Sequence, residues 1–206
     1  MKSFIAAASL AALAAASPVP QAGTTEPLRF GGLALRSASP IHFGSINANS
    51  GALYIGKNTT TYCPEDSVAG STGACTSANT NQTIFSYLNG QGTLSLSTMV
   101  PGGQQVYVTV GDEATGQLAG QLKFTPAHSA MTSGPALTEG FAIAYDAKFQ
   151  FEGQDWFACP VDEFNSGYGI WSVARVGGSN AGEGCLGFTW RVVQVGDETA
   201  SAWQYQ

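Results

Sequence analysis

The sequence predicts an all-β protein, about twelve short strands closing into a β-trefoil-like barrel, with a β-sandwich as the alternative. Three observations carry this expectation. Beyond the first residues, no segment keeps a helical 3.6-residue period through three turns. Short alternating runs recur instead between Gly, Pro, Asn and Ser breaks. A weak internal repeat is also visible. NANSGALYIGKNTTTYCPE, YLNGQGTLSLSTMVPGGQQVYVTV and AYDAKFQFEGQDWFACPV share a plan of turn, alternating strand, turn and aromatic-bearing strand. Three such units suit a trefoil.

Taken in order, strands are expected over 28–36 (LRFGGLALR), 41–47 (IHFGSIN, which puts His42 in a strand) and 52–56 (ALYIG). The next two, 83–88 (TIFSYL) and 93–98 (TLSLST), flank the turn residues Asn89 to Gly92. The run 105–110, QVYVTV, alternates most clearly, with Val106, Val108 and Val110 on one face and Tyr107 and Thr109 on the other. Strands follow over 120–125, 140–145 and 148–152, where Phe149 and Phe151 alternate up to a turn at Gly153. The series closes with 155–159, stopped by Pro160, then 168–175 and 186–195. The 26 glycines are dispersed, which fits many tight turns and no low-complexity linker.

The opening MKSFIAAASLAALAAAS has Lys2, an apolar stretch Phe4–Ala16 and a small-residue end, the pattern of a cleaved secretory leader. That stretch is shorter than the roughly 20 residues needed to span a bilayer. The organisation expected is a leader at 1–16, a flexible tail at 17–27 and a single all-β domain at 28–206. No second long apolar run follows, and VGDETASAWQYQ lacks the hydrophobic tail of a lipid-anchor signal. The formal charge is −6, from 14 acids against eight basic residues. Such a surface repels phosphate backbones and offers no basic run to an anionic membrane, so neither nucleic acid nor membrane is an expected partner.

Four cysteines, Cys63, Cys75, Cys159 and Cys185, fall in an oxidising compartment and read as two disulfides. Loop closure favours near neighbours, Cys63 with Cys75 and Cys159 with Cys185. Closing loops of roughly 12 and 26 residues would stabilise the fold by about 3 kcal/mol each. Two N-glycosylation sequons, Asn58-Thr59-Thr60 and Asn81-Gln82-Thr83, flank the first pair.

Catalytic patterns are thin. There are two histidines, His42 and His128, with no Gly-x-Ser-x-Gly elbow and no His-Glu-x-x-His, so neither an activated serine nor a catalytic zinc is signalled. Paired carboxylates are the sharper enzyme reading: Glu152, Asp155, Asp162 and Glu163 cluster beside Trp156. A glycosidase needs two carboxyls about 5–10 Å apart. Against that, acids at turns cap and hydrogen-bond locally. Among the aromatics, Trp156, Trp171 and Trp190 lie in strand-like runs where a core role is commoner. Trp203, in the polar final segment, is the one expected to be exposed, and is the candidate glycan contact. No catalytic, metal or cofactor-binding residue is expected, and no cofactor.

The stretch FQFEGQDWFACPVDEFNSGYGIWSVARVGGSNAGEGCLGFTWRV carries Phe149, Gln150, Phe151, Gly153, Asp155, Ala158, Cys159, Pro160, Trp171, Ser172, Cys185 and Arg191-Val192 in a distinctive order. In this it resembles the fungal cell-wall protein PhiA family. FGGLALRSASPIHFGSINA and GTLSLS are similar to that family's upstream patterns. The resemblance implies a secreted cell-wall glycoprotein linked to development of spore-bearing cells, with IgE-binding, allergen-like members and wall polysaccharide or wall glycoproteins as partners. It carries over no catalytic residue. This chain departs from the family in lacking a cysteine after the leader and one near its end, and in having Cys75. The leading expectation is a non-enzymatic structural or developmental wall protein. The alternatives are a secreted glycan-binding, lectin-like module and a wall-glycan hydrolase. On this reading AKFQFEGQDWFACP is scaffold, a hairpin stapled to the final strand region.

Overall fold

The protein is described here by a computed structural model covering residues 26–64, 82–161, 171–175, 184–196 and 198–206. The expected leader and most of the expected tail lie outside these residues. Within them the chain is all β, with no helix. The first seven strands are β1 (Leu28–Leu35), β2 (Ile46–Asn49), β3 (Ala52–Ile55), β4 (Thr61–Tyr62), β5 (Phe85–Tyr87), β6 (Leu94–Leu96) and β7 (Gln104–Thr109). After them come β8 (Leu122–Phe124), β9 (Ala136–Leu137), β10 (Phe141–Ile143) and β11 (Lys148–Phe151). The last four are β12 (Trp156–Pro160), β13 (Trp171–Arg175), β14 (Leu186–Gln194) and β15 (Gln204–Tyr205). Each of the twelve expected runs overlaps a strand, though 41–47 meets β2 only at Ile46 and Asn47. The three additions, β4, β9 and β15, are two residues long, too short to show a period.

Nine strands close on themselves in the order β1-β5-β6-β7-β8-β3-β13-β12-β14, with β14 pairing back to β1. The barrel is therefore the architecture, not the sandwich. The thinnest joint of the ring is the single antiparallel pair Ala52↔Lys123 between β3 and β8. A shorter, even circuit of β1, β2, β3, β13, β12 and β14 is completed by the bridge Leu33↔Ser45. The strands β5 to β8 arch between β1 and β3. Closure leaves few free edges for other chains to extend.

Aromatic side chains fill the interior. Phe30, Phe85, Phe149, Trp156 and Trp190 are fully buried. Trp156 and Trp190 lie 5.4 Å apart, and Phe149 stacks nearly parallel to Trp156. The Trp156 indole donates to the Phe149 carbonyl at 2.7 Å, so its polar end is satisfied inside the core. Trp190 packs against Gly32, where a Cβ would come within 2.4 Å of its Nε1. Three expectations change. Residues 41–44 form a turn, so His42 is not in a strand. Tyr107 and Thr109 are buried along with Val106 and Val108, the Tyr107 hydroxyl donating to Ser133 Oγ and the Thr109 hydroxyl to Leu118 O, while Val110 is exposed. The stretch around Gly153 is not a hairpin. β11 and β12 both lie on β14, separated by the turn Glu152-Gly153 with left-handed φ of 49° and 73°.

Candidate functional site

The residues carrying the sequence signature come together along β14. Ala158 pairs with Leu186, and the next pair in that register is Cys159 opposite Cys185. These two form a disulfide with Cα atoms 4.1 Å apart. The side chain of Asp155 accepts from Gln150 Nε2 at 2.9 Å and from Thr189 Oγ1 at 3.1 Å. It therefore pins the turn to β14, with one hydrogen bond to each carboxylate oxygen. Glu152 is exposed on the turn. Asp162 and Glu163 lie outside the described residues. Cys63 is disulfide-bonded; Cys75 lies outside the described residues.

The two sequons meet in the fold. Asn58 is exposed, while the Asn49 amide donates to the Asn58 carbonyl and to Thr60 Oγ1. Asn81 lies outside the described residues. Thr83, the hydroxyl residue of the second sequon, is fully buried. Its Oγ1 accepts from the Ala48 N–H at 2.7 Å and lies 3.0 Å from Thr59 Oγ1. In the folded protein this hydroxyl is a structural group.

Trp203 corrects an expectation: it is 8% exposed. The neighbouring backbone is sewn onto residues 98–100, with Met99 N–H donating to Ala202 O and Val100 N–H to Trp203 O. The indole packs against Val100. Next to it, Gln104 mimics a strand by donating to Tyr205 O and accepting from Tyr205 N–H, at 3.0 and 2.7 Å. Tyr205 is buried and its hydroxyl accepts from the Ile84 N–H at 3.0 Å. Desolvation pushes the Tyr205 phenol up to about 12, opposed by the Ile84 N–H and the Arg29 charge.

A cleft of about 300 Å³ between β8 and the 126–133 segment is lined by Tyr107, Lys123, Met131 and Ser133 and holds no Asp or Glu. Asp112 and Glu113 lie in a loop at 110–119, where the Asp112 carboxylate accepts from Ala114 N–H and Thr115 Oγ1. His42 and His128 sit in separate turns. Among the described residues, no group of three or more His, Cys, Asp or Glu could hold a metal ion. What sequence reasoning missed is Phe43. It is 65% exposed in a left-handed backbone conformation, a state no sequence pattern signals.

The chain is 27% identical to the cell wall protein phiA of Emericella nidulans over 89% of this chain and 91% of that protein. It is 31% identical to an uncharacterized secreted protein of Arthroderma benhamiae, covering 78% and 76% respectively. To cell wall protein phiA of Aspergillus fumigatus it is 26% identical, over 95% and 94%. No solved structure matches the chain. On these relationships, and on a family profile matching residues 30–206, the chain belongs to the PhiA-like secreted protein family.

Proposed function

We propose that this protein is a non-enzymatic structural glycoprotein of the fungal cell wall. The observation that carries the reading is its family membership, with relatives in two species named cell wall protein. The scaffold is consistent with residence there. A closed barrel, an interior packed with aromatics and a disulfide at the Cys159–Cys185 register all favour persistence outside the cell. The carboxylates that suggested glycosidase chemistry support the non-enzymatic reading as far as they are described, since Asp155 is held by Gln150 and Thr189. Glycans are proposed on Asn58, which is exposed, and on Asn81. Its partners are wall polysaccharide or wall glycoproteins.

Fractionating fungal cells tests the placement: the chain is expected in the detergent-washed wall fraction, and confinement to the culture medium overturns it. Assaying purified protein for reducing sugar released from wall polysaccharide tests the chemistry. No release is expected. Release abolished by Glu152→Gln, Asp155→Asn, Asp162→Asn or Glu163→Gln would instead identify an enzyme.

A further inference from the structure

We propose that the turn at residues 36–44 is a stacking platform for the pyranose rings of neutral wall polysaccharide, with Phe43 as the stacking ring and His42 as the adjacent hydrogen-bond donor. The proposal rests on wall residence and names the surface that would meet the polysaccharide.

Phe43 is the observation that calls for explanation. Its φ is 62°, a conformation that is unfavourable for a bulky L residue. Such strain persists only where the surroundings over-determine the backbone. They do so here. Phe43 N–H donates to Ala34 O at 2.8 Å, Ala34 N–H to Gly44 O at 2.9 Å, and Gly44 N–H to Ile41 O at 2.9 Å. Ile41 is fully buried, and a Cβ on Gly44 would come within 2.6 Å of Ile55. The turn is rigid, yet the ring it holds is 65% exposed, so Phe43 contributes little to the core. A strained backbone that presents an apolar ring to water fits recognition better than packing.

The chemistry around the ring defines the ligand. The His42 and Phe43 rings lie 4.0 Å apart and are tilted by 35°. His42 therefore lies against the Phe43 ring, which stays 65% exposed. His42 Nδ1 accepts the Arg36 N–H at 3.1 Å, so the neutral imidazole carries its proton on Nε2, a donor beside the ring. The Arg36 guanidinium reaches the Gly187 carbonyl at 2.6 Å, and the turn contains no acid. A flat apolar face with one neutral donor suits a ring that offers axial C–H groups to the face and hydroxyls at the rim. The pyranose rings of a neutral polysaccharide, such as a β-glucan or chitin, are of this kind.

Purified protein passed over insoluble β-1,3-glucan and over chitin, with Phe43→Gly and Phe43→Tyr beside it, tests this. Wild type and Phe43→Tyr are expected to be retained on at least one matrix. Phe43→Gly should lose affinity on the order of tenfold, with a melting temperature equal to or above wild type because glycine relieves the strain. Equal retention of Phe43→Gly overturns the platform, as does a Phe43→Gly that melts well below wild type. Wild type that flows through both matrices, yet is found in the wall fraction of cells, overturns the platform and leaves wall residence standing. Retention on a matrix with absence from the wall fraction does the reverse.

Discussion

Tyr205 ties stability to alkaline pH through a single buried hydroxyl. Its folded pKa of about 12 lies above the ordinary 10.0, so the unfolded chain ionises first. The stability involved is fully present below the unfolded pKa and is lost as pH rises through the folded one. The loss is roughly 2–3 kcal/mol across that window. The denaturation midpoint of wild type is expected to fall between these two pH values more steeply than that of Tyr205→Phe. Equal slopes would place the titration elsewhere. Tyr205→Phe itself should be less stable at neutral pH by about 1–3 kcal/mol, because the Ile84 N–H loses its acceptor. Thr83 supplies a second test. In unglycosylated protein Thr83→Ala should cost about 1–3 kcal/mol, since the buried Ala48 N–H loses its acceptor. Asn81→Gln, which removes the same sequon, leaves that bond intact. Matching melting temperatures for the two variants would contradict the structural role of the hydroxyl.

Among the elements, β14 organises the molecule, with β1 along one edge and β11 and β12 in succession along the other. The Cys159–Cys185 disulfide extends the β12–β14 ladder by one covalent pair. Replacing both cysteines by serine should lower stability by about 2–4 kcal/mol in denaturant titration. A loss near zero would mean that the ladder holds that register alone. Strands were legible in the sequence where alternation ran for several residues, as in β1 and β7. The two-residue strands β4, β9 and β15 exist only through distant partners, which a local period cannot report. The same limit explains Trp203. A polar neighbourhood suggested exposure, but the pairing of residues 202–203 with 98–100 buries the ring. Of the candidate site, the stapled cysteine pair was visible as spacing. The Phe43 turn was not, because IHFGSIN reads as a strand and the backbone angle at Phe43 depends on contacts to Ala34 and Ile41.

Nine of the described strands form one closed antiparallel circuit, so no sector of that ring can open without breaking ladders on both sides. Unfolding should therefore be a single transition, with tertiary fluorescence from the buried tryptophans and far-UV circular dichroism changing together. Separate midpoints would mean that the β5–β8 arch unfolds on its own. Native dichroism should show less than about a fifth helix, against the third of an average domain. The contacts made by residues 202–206 add a constraint of timing. Ala202 and Trp203 complete the backbone bonds of residues 99 and 100, Tyr205 supplies the acceptor for Ile84, and Gln206 bonds Ser50 and Thr60. Ile84 directly follows Thr83, the hydroxyl residue of the second sequon. A ribosome adding roughly 5–20 residues per second needs on the order of ten seconds to travel from that sequon to those contacts. Throughout that interval the nascent barrel lacks the groups that seal the sequon's surroundings. If Asn81 carries the glycan proposed above, its transfer falls within that interval, before residues 202–206 reach Ile84 and its neighbours.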